Sequence, residues 1–164
     1  DGIPYTGFLY AGLMISPKGE VKTLEFNCRM GDPETQPIMM RLKSDLVALA
    51  AHAADGTLDQ ASAEWDSRFA LGVVMASANY PETPKLGDVI TGLPVVIKDG
   101  HVFHAGTTLK DGHVVTSGGR VLCVTALGES VKSAQQSAYH ILESIKFEGA
   151  QHRNDIGYRA IKAN

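Results

Sequence analysis

Residues 24–37 read LEFNCRMGDPETQP. The run starts as the end of an alternating segment, Val21–Asn27 (VKTLEFN), in which Leu24 and Phe26 point one way and Thr23, Glu25 and Asn27 the other. Residues 28–36 are polar and hold Gly31 and Pro33, which makes them a loop. Pro37 then suits the first turn of a helix, where a missing N–H costs nothing. A strand, a polar loop and a helix follow one another, and such loops at strand ends are where a rigid sheet holds ligand-binding groups.

Upstream, residues 7–16 (GFLYAGLMIS) form a second strand. Leu9, Ala11, Leu13 and Ile15 share one face; Tyr10, Gly12 and Met14 share the other. Both faces are apolar, so this strand is expected to be covered on both sides. Pro17-Lys18-Gly19 is a turn signal, and the two strands make a hairpin. Downstream, Ser44 is the expected N-cap of a helix over residues 45–54, with Leu46, Leu49, Ala50 and Ala53 as its stripe and Gly56 as its stop. Residues 69–77 read as a buried strand.

Residues 80–94 hold three prolines and two glycines, so a linker is expected over 81–94. Short β runs follow at 95–98, 101–104, 113–116 and 120–126. Asp99-Gly100 and Asp111-Gly112 are hairpin signals between them. A helix over about 130–145 closes the pattern, with Val131, Ala134, Ala138, Ile141, Leu142 and Ile145 on its apolar face. The expected domains are residues 1–80, the linker, and a small β-rich domain with one helix over 95–164. The first residue is Asp1 rather than methionine and a strand begins almost at once, so the chain reads as part of a longer one.

Composition narrows the function classes. With 44% hydrophobic and 20% charged residues the chain is ordinary for a globular protein. A net charge of −3 leaves no basic footprint for nucleic acid. The most apolar run, residues 69–78, is far short of the roughly 20 residues of a membrane-spanning helix. Cys28 and Cys123 have no metal or redox spacing and fit a reduced, cytoplasmic setting.

The chemistry concentrates after the first hairpin. Glu25 and Asn27, two apart on a strand, project their oxygens to one side, and a carboxylate with an amide oxygen suits Mg²⁺. Such an ion needs few protein ligands, because nucleotide phosphates and water complete its shell. A solvated strand face would look the same. Arg29, Asp32 and Glu34 follow at once, and a plain charged surface loop is the competing reading of that cluster. Elsewhere, His101 and His104 are three apart on a strand and face opposite sides, a poor start for a metal site. Gly118-Gly119-Arg120 reads first as a tight turn and second as a phosphate approach. Arg153, Asp155 and Arg159 suggest an ion pair between lobes, and Met39-Met40 reads as core filler.

The strings LYAGLM, LEFNCRMGDPETQP, LKSDL, GVVMAS, HAGT, GGRVLCVTALG and RNDIGYRAI occur in that order. Together they resemble the phosphoribosylamine–glycine ligases, ATP-grasp enzymes, over nearly the whole chain. NCRMGDPETQ is specific to that family, whereas Glu-x-Asn is shared by ATP-grasp enzymes at large. The resemblance implies an α+β chain: the carboxyl-terminal half of an ATP-grasp fold, mostly antiparallel sheet with helices, followed by a small β-rich lobe. It implies ATP-dependent joining of glycine to 5-phosphoribosylamine through a glycyl phosphate, giving glycinamide ribonucleotide, ADP and phosphate. By the same resemblance Glu25 and Asn27 hold Mg²⁺ or Mn²⁺ on the nucleotide phosphates, with ATP as cosubstrate. Arg29 and Asp32 lie beside the acyl phosphate and the amine.

A metal and an arginine would offset the charge of the acyl phosphate, and a carboxylate would orient the amine or accept its proton. Asp32 fits that last role better than Glu34, because Pro33 restrains the backbone directly after it. The family's amino-terminal domain, glycine-rich lid and adenine-holding hinge have no counterpart here, so the missing half is the expected partner. Two other classes stay open. One is an ATP-grasp ligase joining a different carboxylate and amine, against which the GDPETQ loop argues. The other is a binding or assembly module without catalysis.

Overall fold

The computed structural model describes residues 2–162; Asp1, with which the first expected domain begins, lies outside the described residues. The chain forms two compact units. One comprises the residues up to Thr35 together with 42–65, the other residues 36–41 together with those from Asp66 onward.

In the first unit, β1 (Tyr10–Ile15) and β2 (Val21–Asn27) pair antiparallel as the expected hairpin. The reversal works because Gly19 takes a positive φ of 82° and its N–H donates to the Ser16 carbonyl at 2.9 Å. The Ser16 hydroxyl also accepts from the Lys18 and Glu20 N–H groups at 3.3 and 3.2 Å. The cover expected on both sides of β1 is not supplied by the described residues. Leu13, Met14, Ile15, Leu24 and Phe26 are all exposed, Phe26 at 62%. A two-stranded ribbon has no second layer of its own to bury its faces.

The helix α1 (Thr35–Arg41) begins in the first unit and continues in the second. Pro37 sits within its first turn, where N–H groups have no partner in the helix. The Arg41 guanidinium donates from Nε and Nη2 to the Asp66 carbonyl, both at 3.0 Å. In the first unit again, α2 (Leu46–Ala54) is capped by Asp45, not Ser44. Asp45 is extended (φ −68°, ψ 114°), and its carboxylate accepts from the Val47 and Ala48 N–H groups at 2.7 and 3.2 Å. Ser44 Oγ accepts from the Glu64 N–H at 2.7 Å instead. Gly56, with φ 68°, follows the C-cap Asp55 as expected of a helix stop. Asp45→Ala is therefore expected to destabilise this unit by about 1 kcal/mol, while Ser44→Ala leaves α2 intact; urea unfolding followed by helical circular dichroism measures both.

The second unit holds β3 (Phe69–Ala76), β4 (Gly100–His104), β5 (Thr107–Lys110), β6 (His113–Thr116), β7 (Arg120–Gly128), α3 (Val131–Leu142) and α4 (Tyr158–Lys162). β7 lies between β3 and β4, antiparallel to both. Its central place matches its composition, for residues 121–127 are all buried. α3 packs on this sheet through Ala134, Ala138 and Leu142, and Ile90, Val102, Ile145 and Phe147 complete the core. Ser130 caps α3 by accepting from the Ser133 N–H at 3.1 Å, and the Ser133 hydroxyl accepts from the Ser130 N–H in return.

Four expectations change here. Residues 95–98 form no strand, and Val95 and Val96 are 98% and 87% exposed. They have β-prone side chains but no strand to pair with, and tertiary context decides strand formation. Asp99-Gly100 consequently leads into β4 without closing a hairpin, whereas Asp111-Gly112 (φ 50° and 78°) does join β5 to β6. The expected linker, 81–94, lies within the second unit. The Gly87 N–H donates to the Thr116 carbonyl at 2.7 Å and the Ile90 N–H to the Val114 carbonyl at 2.8 Å. Thr91 exchanges hydrogen bonds with Lys146 at 2.8 and 3.0 Å. Last, Arg153 pairs with Asp155 two residues on at 2.8 Å, a local bridge rather than one between lobes.

Among the described residues no helix is long and apolar enough to cross a membrane.

Candidate active site

The register of the hairpin sets the site. Gly12 lies opposite Glu25 and Tyr10 opposite Asn27. Residues directly opposite in an antiparallel pair share a face, so Tyr10, Glu25 and Asn27 stand together. Gly12 has no side chain to compete for that face; a Cβ there would come within 3.1 Å of Glu25 Cγ. The register shifts between Gly12 and Leu13, which leaves Leu24 as an extra residue in β2. Thr23 therefore lies opposite Leu13 and joins the other face. The alternation expected for Thr23, Glu25 and Asn27 breaks at that bulge, while Glu25 and Asn27 keep their spacing.

This pair fits a hard divalent cation. Glu25 is exposed and Asn27 half-buried. The Asn27 amide has a buried end, Nδ2, with no hydrogen-bond partner. An unpaired buried polar group costs about 1–3 kcal/mol, and a half-turn of the amide exchanges its nitrogen for an oxygen. A cation shared between that oxygen and the Glu25 carboxylate satisfies both. No group of three or more His, Cys, Asp or Glu able to hold a metal occurs among the described residues. Two protein ligands are enough for magnesium when phosphate and water supply the others.

The loop after β2 is closed on itself. The Thr35 N–H donates to the Gly31 carbonyl at 3.0 Å, and the Thr35 hydroxyl donates to the same oxygen. Asp32, Pro33 and Glu34 are held inside that closure, with Asp32 and Glu34 exposed and the Asp32–Pro33 peptide cis. Arg29 is exposed, and its Nη1 donates to the Met30 carbonyl at 3.0 Å. The loop thus keeps one guanidinium and two carboxylates at the end of the strand that carries Glu25 and Asn27.

Tyr10 was read from the sequence only as part of an apolar face. Its hydroxyl lies 3.4 Å from Glu34 Oε1. The negative charge of Glu34 raises the Tyr10 hydroxyl above its ordinary pKa; desolvation, the hydrogen bond to Glu34 and the charge of Glu25 add to this, and Arg29 opposes it. The turn alone would not have revealed it: a five-residue reversal between Ile15 and Val21 sets Tyr10 opposite Phe26, and the extra residue at Leu24 moves it opposite Asn27.

The second unit holds a separate cavity of about 330 Å³, with Tyr80, Arg120, Gln151, His152 and Arg153 over Val74 and Ala76. Gly118-Gly119 form the turn that delivers Arg120 to it. The Ser77 N–H donates to the Gly119 carbonyl at 2.9 Å and its hydroxyl to Gly118 at 2.6 Å. Gly119 lies against the Tyr80 ring, and Arg120 Nη1 is 3.5 Å from the Tyr80 hydroxyl. His101 stacks edge-on with Phe103 at 4.5 Å and His104 Nδ1 lies 3.0 Å from Thr107 Oγ1. The two histidines hold separate structural contacts.

The family model described as phosphoribosylglycinamide synthetase, C domain, matches residues 70–159, and the one described as its ATP-grasp (A) domain matches residues 1–35. The chain belongs to the phosphoribosylglycinamide synthetase family. Phosphoribosylamine–glycine ligase of Ralstonia nicotianae (strain ATCC BAA-1114 / GMI1000) is 65% identical over 99% of this chain, and that of Vibrio vulnificus (strain CMCP6) 60% over 98%. The chain spans 38% of the length of either relative. The crystal structure of the Thermotoga maritima phosphoribosylamine–glycine ligase superposes with a TM-score of 0.82 at 40% identity, covering 94% of this chain and 38% of that one. A biotin carboxylase domain of Hydrogenobacter thermophilus 2-oxoglutarate carboxylase, solved with the magnesium salt of ADP, superposes at 0.61 with 15% identity over 87% of this chain and 32% of its own, a likeness of fold alone. This member of the family is therefore α+β with antiparallel sheets and has the ATP-grasp architecture of these neighbours.

Proposed function

We propose that this chain is the metal-bearing, carboxyl-terminal part of a ligase that joins glycine to 5-phosphoribosylamine at the expense of ATP. The observation that carries the reading is the shared face of Glu25 and Asn27 running directly into the closed loop of Arg29, Asp32 and Glu34. Bound Mg²⁺ or Mn²⁺ would offset the charge on nucleotide phosphates. Glu25 and Asn27 hold that ion. Arg29 faces the acyl phosphate, where a guanidinium stabilises developing negative charge. Asp32 orients the amine of phosphoribosylamine or accepts its proton. Cys28 and Cys123 are not joined in a disulfide, which agrees with a cytoplasmic setting.

The relatives' greater length supports a division of labour, with adenine and lid contacts supplied by sequence corresponding to the rest of those proteins. The test is glycine-dependent ADP release with phosphoribosylamine generated in place. The chain alone is expected to show none, and adding the amino-terminal portion in trans to restore it. Sustained turnover by the chain alone would overturn the reading of it as a part. In the restored system Asp32→Asn should slow amide formation on the order of a hundredfold while phosphate release from ATP falls much less. Equal loss of both rates would remove Asp32 from the amine.

A further inference from the structure

Tyr10 stands on the face of Glu25 and Asn27, yet the reaction as described gives it no task. Its ring and its hydroxyl both engage the loop. A Cβ on Gly31 would lie 2.8 and 2.9 Å from two carbons of the Tyr10 ring, so only glycine lets the aromatic face lie against the backbone there. Gly31 is buried under it. The same absent Cβ would also overlap Glu34 Oε2, so Tyr10, Gly31 and Glu34 form one packed triad. The hydroxyl reaches Glu34 at 3.4 Å, and the loop between is closed by Thr35 on Gly31. Tyr10 thus touches the first residue of the closure with its ring and the next-to-last with its hydroxyl.

We propose that Tyr10 is a positioning residue: by packing on Gly31 and donating to Glu34 it braces the loop against β1, and so fixes where Asp32 meets the amine substrate. This rests on the proposed reading of Asp32. The strand supplies the rigidity. Tyr10 is anchored in the ladder opposite Asn27, so the same backbone pair that presents the metal ligand also presents the brace. A bond of 3.4 Å is long, and catalytic-site hydrogen bonds commonly tighten when substrate binds. Glu34 thereby has a role of its own. Held by Tyr10, its carboxylate is turned onto the brace, leaving Asp32 as the loop carboxylate that serves the amine.

Tyr10→Phe, Glu34→Gln and the double variant test this in two independent ways. The first uses the 164-residue chain and hydrogen exchange of the Thr35 amide, which donates to Gly31. Tyr10→Phe should speed that exchange about tenfold, while Mn²⁺ affinity at Glu25 and Asn27, read by electron paramagnetic resonance, stays unchanged and shows that the hairpin is folded. The second uses the chain complemented in trans. Each single variant should raise KM for phosphoribosylamine about tenfold with KM for ATP unchanged, and the double variant should be no worse than either single one, because the two groups act as one unit. Unchanged Thr35 exchange in Tyr10→Phe overturns the brace. Additive losses in the double variant, or an effect on ATP instead of the amine, overturn the positioning role. Faster exchange with no ligase activity in the wild-type complemented system would sustain the brace and count against the ligase reading.

Discussion

Glu25→Gln is expected to weaken Mn²⁺ binding to the chain by at least about tenfold and to lower glycine-dependent turnover of the complemented ligase on the order of 10²–10³-fold, leaving the fold intact. The isosteric amide keeps the shape of the side chain and removes its charge. Glu25 is exposed and crosses over Gly12, so no buried partner is orphaned by the change. The whole loss should therefore appear in metal affinity and in rate. Asn27→Asp is the informative companion. It substitutes a carboxylate for an amide at the other ligand position, adds charge beside Glu25, and should tighten the metal while slowing turnover, because a more neutralised ion polarises phosphate less. Equilibrium binding of Mn²⁺ and steady-state ADP release separate the two effects. Near-normal turnover of Glu25→Gln at limiting magnesium would sink the assignment of the metal face.

The largest stability effect is expected far from that face. Gly92→Ala should destabilise the second unit by about 3–5 kcal/mol and lower its melting temperature by more than about 10 °C. Gly92 has φ 72°, which L side chains rarely adopt, and a Cβ there would overlap the Ser144 carbonyl oxygen. The backbone cannot retreat, because Thr91 is bridged to Lys146 in both directions and the Ser144 hydroxyl donates to the Gly92 carbonyl at 3.1 Å. The next residue in that direction, Ile145, is a fully buried core side chain, so any shift propagates into the packing of α3 on the sheet. Thermal unfolding by circular dichroism measures the change. A shift below about 2 °C would mean that residues 81–94 behave as the free linker their composition suggests.

Gly92 and Glu25 mark the two sides of what the primary structure can say. The hairpin, the polar loop, the helix after Ser130 and the strand at β7 were legible in local pattern alone, because each has a periodicity or a turn residue that acts within a few positions. The same is true of Glu25 and Asn27, whose shared face follows from a spacing of two on a strand. The family resemblance was carried by residues 24–37 and by short strings spread along the chain. Only tertiary structure could decide the rest, since it depends on partners distant in sequence. Residues 95–98 have strand composition and no strand beside them. Residues 81–94 have linker composition but find hydrogen bonds on Val114, Thr116 and Lys146, and they bury Ile90. A single extra residue at Leu24 turned Thr23 to the opposite face, which no alternation count reveals. Tyr10 looked like one more apolar residue until pairing placed it against Gly31 and Glu34. Local sequence determines which conformations are cheap; the pairing of remote segments determines which of them are kept and which side chains then meet.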